Sequence, residues 1–166
     1  IGYMPPVEDL ENPNYKFATE VFSEDGKVLG TYSYSKENRV FVGYNDLSPN
    51  IINALIATED VRFAEHSGID AYALTRAVVK RGILMQKNAG GGSTITQQLA
   101  RNIYLTHTVR WERKVEEIFI AMALEKKYSK EELLEFYINN IYFSNGYYGI
   151  QAASQGYFNK DASDLS

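Results

Sequence analysis

Ile118-Phe119-Ile120-Ala121-Met122-Ala123-Leu124 is the longest uninterrupted apolar run in the chain. It is preceded by Arg113-Lys114-Val115-Glu116-Glu117 and followed by Glu125-Lys126-Lys127. Seven residues are far too few to span a bilayer. A segment apolar all round reads instead as the central buried helix of a helical protein, here expected from about Thr108 to Lys127. Further along the chain, Ser129 and Glu132 have capping-box spacing and open a helix that ends near Asn139-Asn140. A loop rich in tyrosine and glycine covers 141–149, and a short helix follows from Gly149 to Phe158. Before the central run, Thr94 and Gln97 form a second capping box after the glycine-rich loop Asn88 to Gly92. An earlier helix starts after Asp70 and runs to about Gln86. The first helix has Ser48 as its N-cap and Pro49 in its first turn.

The chain before Ser48 reads differently. Residues 1–15 are an irregular, proline-containing lead-in. Phe17 to Phe22 and Val28 to Tyr34 are strand-like, and Asp25-Gly26 between them is a hairpin turn signal. Arg39 to Val42 adds a candidate third strand. The expected fold is therefore mainly α with an N-terminal β-hairpin appendage, divided into 1–47 as lead-in and hairpin and 48–166 as the helical domain. The 166 residues suit one domain, and a hydrophobic content of 45% excludes a disordered tail. Cysteine is absent, which removes disulfide scaffolds and thiol chemistry. With only His66 and His107, a histidine-rich metal cluster is excluded as well. No signal peptide is visible, and the start at Ile1 reads as a processed form or an excised fragment.

Charge is unevenly spread. From Ala71 to Trp111 there are six basic residues and no acidic one, whereas the whole chain carries −4. This asymmetry points to an anionic partner such as phosphate, pyrophosphate or an anionic lipid surface. The plain alternative is a solvated basic face balanced in space by acidic neighbours. Nucleic acid is disfavoured by a pI near 5.3.

Three constellations could carry chemistry. Glu59 falls on the apolar stripe of Ile52, Leu55, Ile56 and Phe63, with His66 seven residues on. A carboxylate there costs free energy unless it is paired or functional, and such a group suits proton transfer near neutral pH. The alternative is a partly exposed glutamate at a helix end. Gly90-Gly91-Gly92-Ser93-Thr94 leads into a helix start whose free amides and dipole favour anions. On that helix Thr94, Gln97 and Arg101 share a polar face opposite Ile95, Leu99 and Ile103. It is not a P-loop, since no Gly-Lys-Ser/Thr follows, and an ordinary capped helix explains it equally well. Arg113 and Glu117 lie four apart at the edge of the apolar run. They suit chemistry at a sugar or phosphate, or merely an i,i+4 surface pair. Tyr142, Tyr147 and Tyr148 suit sugar stacking, although packing explains most tyrosine clusters.

Taken together, these segments resemble the peptidoglycan glycosyltransferases, the lysozyme-like domain of class A penicillin-binding proteins and their monofunctional relatives. Glu59-Asp60-Val61-Arg62-Phe63-Ala64-Glu65-His66-Ser67-Gly68 matches the family's first motif. Gly92 to Gln98 matches the second, and Arg113-Lys114 with Glu117 matches the third. Lys130 to Glu135 with Tyr137 and Asn139 matches the fourth. Gly146, Gly149, Ala152-Ala153 and Tyr157-Phe158 resemble the fifth. The resemblance implies a lysozyme-like fold and polymerisation of lipid II into β-1,4-linked glycan, with inversion and release of undecaprenyl pyrophosphate. It implies Glu59 as general base and Glu117 as a second essential carboxylate near the donor pyrophosphate. Asp60, Phe63 and His66 of the first motif join the substrate site. Arg76, Arg101, Arg113 and Lys114 would hold phosphates, and Ser93, Thr94, Gln97, Gln98, Asn139 and Tyr142 would line the cleft. Relatives usually carry lysine at position 101, so Arg101 replaces a point charge by a bidentate fork.

The resemblance requires no cofactor and leaves one candidate, a divalent cation (Mg²⁺) at the pyrophosphate. Expected partners are lipid II, the growing lipid-linked glycan and the membrane surface. Ile83, Leu84 and Met85 beside Lys87 would dock there amphipathically, placing the catalytic domain on the outer face of the bacterial cytoplasmic membrane. A transpeptidase domain, if one exists, lies beyond Ser166, and the family's own domain normally continues past that point. Two rival readings are a lysozyme-like lytic glycosidase acting on peptidoglycan and a non-catalytic helical binding module.

Overall fold

The computed structural model describes residues 40–80, 91–104 and 111–166, together with the backbone of 19–22 and 28–32. Its main body is helical. Six α-helices occur among the described residues: α1 (Pro49–Glu59), α2 (Ala71–Val78), α3 (Ile95–Tyr104), α4 (Trp111–Lys127), α5 (Lys130–Asn140) and α6 (Ile150–Phe158). Strands β1 (Thr19–Phe22) and β2 (Val28–Tyr32) pair antiparallel, with Thr19 opposite Tyr32 and an irregularity between Val21 and Phe22. The Asp25-Gly26 turn, Arg39 and the apolar group Ile83 to Met85 fall outside the described residues. So do Gln86, to which the second helix was expected to run, and the expected start of the fourth near Thr108. Among the described residues no helix is long and apolar enough to cross a membrane.

The chain divides into two compact units, 52–134 and 1–51 with 135–166. In the first unit α3 packs on α4. Ile95, Leu99 and Ala100 of α3 and Ala121 and Leu124 of α4 are fully buried. Gly68 permits a close approach, because a Cβ there would stand 2.9 Å from the Ala121 carbonyl carbon, and its φ of +98° disfavours any side chain. The expectation that α4 is buried all round needs correction. Glu117, Ile120, Ala121 and Leu124 form its packed face, while Phe119 is 60% exposed and Val115 and Met122 are also exposed. An apolar run tells nothing about which side finds a partner. Here the packed face is chosen by α3, and it takes Glu117 inside.

In the second unit, Asn139 of α5 is buried and acts as a backbone mimic. Its Oδ1 accepts from Val42 N (2.9 Å), and its Nδ2 donates to Val42 O and Glu135 O (2.8 Å each). These bonds explain why 40–42 forms no third strand, since Val42's own polar groups are taken by a side chain. Glu135 accepts from Tyr44 N at 2.7 Å. Gly149, at φ +81°, starts α6 with no room for a Cβ, which would lie 2.7 Å from Asn139 O. Tyr142 and Tyr148 bridge the intervening loop and stack with centroids 4.7 Å apart.

Candidate active site

The site lies in the first unit and begins where α1 stops. Ser48 Oγ accepts from Asn50 N at the start of that helix, and Glu59 is its last residue. The following residue, Asp60, is buried. Its Oδ2 accepts the Ile95 amide at 3.0 Å and meets His66 Nε2 at 2.8 Å. His66 Nδ1 accepts from Gly68 N at 3.1 Å, so the ring proton sits on Nε2 and is donated to Asp60. The Asp60 carboxylate thus closes the N-terminus of α3, where negative charge is favoured. To reach it the chain leaves the helix after Glu59 and turns through 61–65. As a result Glu59 is exposed instead of lying on a continuous buried stripe, and Phe63, 2% exposed, packs from the turn.

Gln98 Nε2 on α3 donates to Glu59 Oε2 at 3.0 Å and so orients the carboxylate. The capping box of α3 is complete. Thr94 N donates to Gln97 Oε1 (2.9 Å), Gln97 N donates to Thr94 Oγ1 (3.1 Å), and Thr94 Oγ1 donates to Gly68 O (2.7 Å). The side chains of Thr94 and Gln97 are therefore buried and occupied, and do not offer the polar face that spacing suggested. Gln98 and Arg101 take that position. Behind them, Thr96 Oγ1 donates to Glu125 Oε1 (2.6 Å), and Lys130 Nζ reaches both Glu125 and His66 O. Asp60, Phe63 and His66 support the cleft from within, with their side chains engaged by the protein.

Glu117 is also buried, at 1% exposure. Its partner is Lys114, not Arg113: Lys114 Nζ bonds Glu117 Oε1 and donates to Ser93 Oγ at 2.8 Å. The i,i+3 neighbour points to the same side of α4 as Ser93 and displaces the i,i+4 pair that the sequence suggested. Half-buried Arg113 forms no ion pair with Glu117. Ser93 links this pair to the cleft, whereas Asn139 and Tyr142 belong to the other unit.

Two adjoining cavities share Glu59, Arg76 and Ser93. One, of about 410 Å³, adds Gln98 and Arg101. The other, of about 160 Å³, adds Arg62, Asp70 and Tyr72. Sequence reasoning missed these last three. Asp70 caps α2 by accepting from Ala73 N (2.9 Å) and holds Arg62 through Nε (3.1 Å) and Nη2. The Arg62 guanidinium lies 4.1 Å from the centre of the Tyr72 ring. Burial pushes the Asp70 carboxyl up. The Arg62 and Ala73 hydrogen bonds and the Arg62 charge outweigh that and hold it below the usual aspartate value. The only hint in the sequence was the spacing of Arg62 and Asp70, eight residues apart across a turn, which no local periodicity rule detects. Among the described residues no three His, Asp or Glu side chains gather as metal ligands.

An exposed carboxylate and two arginines line one open polar cleft in a mainly helical unit, an arrangement of the enzyme class that pairs proton transfer with an anionic group. The family described as Transglycosylase matches residues 25–166. Penicillin-binding protein 1F of Bacillus subtilis is 54% identical over 150 residues, covering 90% of this chain and 20% of that protein. Penicillin-binding protein 2a of Streptococcus pneumoniae is 44% identical over 160 residues, with coverage of 96% and 21%. Penicillin-binding protein 1A of Pseudomonas aeruginosa is 39% identical over 166 residues, with coverage of 98% and 20%. The chain spans about a fifth of the length of these curated relatives. It belongs to the transglycosylase family and is a peptidoglycan glycosyltransferase domain of the penicillin-binding proteins, enzymes of cell-wall synthesis.

Proposed function

We propose that the chain polymerises lipid II, and that the placement of Glu59 with Arg76 and Arg101 around one cavity carries this reading. The 4-hydroxyl of the acceptor sugar gives its proton to Glu59 and attacks the anomeric carbon of the lipid-linked donor from the face opposite the leaving group. A new carbon–oxygen bond forms with inversion, the bond to the diphosphate breaks, and undecaprenyl pyrophosphate departs with the electron pair. Gln98 holds Oε2 of Glu59, so that Oε1 faces the acceptor. Arg76 and Arg101 neutralise charge that grows on the leaving diphosphate. Glu117 keeps the Lys114 ammonium aimed at Ser93 and is a positioning group in this scheme.

A divalent cation bound mainly by the diphosphate needs only one or two protein carboxylates. The described residues form no cage of three, so a Mg²⁺ at this site would be held chiefly by the diphosphate oxygens and would supply further charge neutralisation there. The lysozyme-like architecture, the hairpin appendage and the boundary at 47/48 are part of the same proposal. So are the position on the outer face of the cytoplasmic membrane and a transpeptidase domain elsewhere in the full protein. Exposed Leu74 and Val78 on α2, with Val79 just after it, support a membrane-facing surface.

The test is incubation with lipid II. Glycan polymer is expected, and Glu59→Gln lowers turnover by roughly 10² to 10⁴, the range for a positioned general base. Undiminished polymerisation by that variant removes Glu59 from the role. Release of soluble muropeptides from finished wall, without polymer, would identify a lytic enzyme instead.

A further inference from the structure

The two cavities meeting at Glu59 differ in chemistry. In the larger one Arg101 has no acidic partner among the described residues, so that side presents net positive charge. In the smaller one Arg62 is neutralised by Asp70, and the added surface is the exposed ring of Tyr72. Asp70 binds Arg62 through Nε and Nη2, which leaves Nη1 as a donor without a protein partner among the described residues. The guanidinium lies over the ring at 4.1 Å, a cation–π contact that restrains it. A pocket whose two arginines are matched by Glu59, Asp60 and Asp70 has no net positive charge, and with an aromatic wall and the spare Nη1 donor of Arg62 it suits, better than a diphosphate, an uncharged sugar ring. Its apolar C–H face packs on the aromatic surface, while a hydroxyl or acetamido oxygen takes the donor.

We propose that Tyr72, held by Arg62 and Asp70, forms a stacking wall for the hexosamine whose hydroxyl faces Glu59, and so selects the sugar while Arg101 on the other side selects the diphosphate. This rests on the reading of the chain as a lipid II polymerase. It assigns Tyr72 as a binding residue and Asp70 as a positioning residue acting through Arg62.

The test compares two probes on wild-type protein, Tyr72→Leu and Tyr72→Phe. One probe is fluorescent lipid II with a short prenyl chain, followed by anisotropy. The other is the prenyl pyrophosphate of the same chain length, which has no sugar. Tyr72→Leu is expected to weaken lipid II binding about two- to tenfold, the size of one aromatic contact, while prenyl pyrophosphate binding shifts less than about twofold. Tyr72→Phe, which keeps the ring, recovers most of the lost affinity. The half-saturating lipid II concentration for polymerisation rises more than turnover falls. Equal loss on both probes would mean a general distortion and overturn the proposal, as would unchanged lipid II binding by Tyr72→Leu. Absence of polymer from wild-type protein would sink the polymerase reading alone, because the contrast between the probes is measured without turnover.

Discussion

Helices α3 and α5 begin with the same device in different surroundings. Both have a reciprocal capping box: Thr94 with Gln97, and Ser129 with Glu132, where Ser129 N donates to Glu132 Oε2 (2.7 Å) and Glu132 N to Ser129 Oγ (3.2 Å). The box of α5 is exposed, so water can replace any bond it loses. That of α3 is buried, and its threonine also holds the Gly68 carbonyl, while Asp60 takes the next free amide. A local motif of equal legibility is thus a modest stabiliser in one place and, in the other, part of the frame that sets Gln98 against Glu59.

The largest expected break in this contrast is Asp60→Ala. It orphans the Ile95 amide and the His66 Nε2 donor, each at about 1 to 3 kcal/mol, so unfolding free energy in urea falls by roughly 2 to 6 kcal/mol. Thr94→Val keeps the shape but removes an acceptor and a donor. It should cost about 1 to 3 kcal/mol by the same measurement. Ser129→Ala, the matched change in the exposed box, should cost about 0.5 to 1 kcal/mol. A Ser129→Ala loss equal to that of Thr94→Val would show that burial does not separate the two boxes.

The smallest effect concerns the third capped helix, α2. The Asp70 carboxyl is held below its ordinary value of 3.8, so the stability it contributes is complete above about that pH. It is lost as pH falls through the lowered folded value. Acid unfolding of Asp70→Asn followed by circular dichroism should lack this component, and identical acid profiles would refute it.

Helix starts were legible in the sequence because caps are local. Ser48-Pro49, Asp70, Thr94 and Ser129 each mark an observed beginning. The motif around Glu59 and the basic, acid-free stretch pointed to the cleft and to Arg76 and Arg101. What was not legible was long-range. Periodicity carried the α1 stripe through Phe63, but the bond from Asp60 to Ile95, thirty-five residues away, ends the helix at Glu59. The polar face of Thr94 and Gln97 was spent on the cap, and Lys114 replaced Arg113 because Ser93 lies on its side of α4. Tyr72 carried no signal, since a lone aromatic on a short helix gains meaning only from the guanidinium stacked on it.

Glu59 and Asp60 are neighbours of identical charge with opposite destinations, one toward solvent and one toward the interior. Their assignment depends on where a single peptide unit departs from helical geometry. Inserting or deleting one residue just before this pair would rotate both side chains by about 100°. The outward acid would then turn away from the groove and the inward one would be pulled off its amide. The register in which α1 delivers this pair is therefore a gauge for the chemistry, and a change of length just before it should disturb both acids at once.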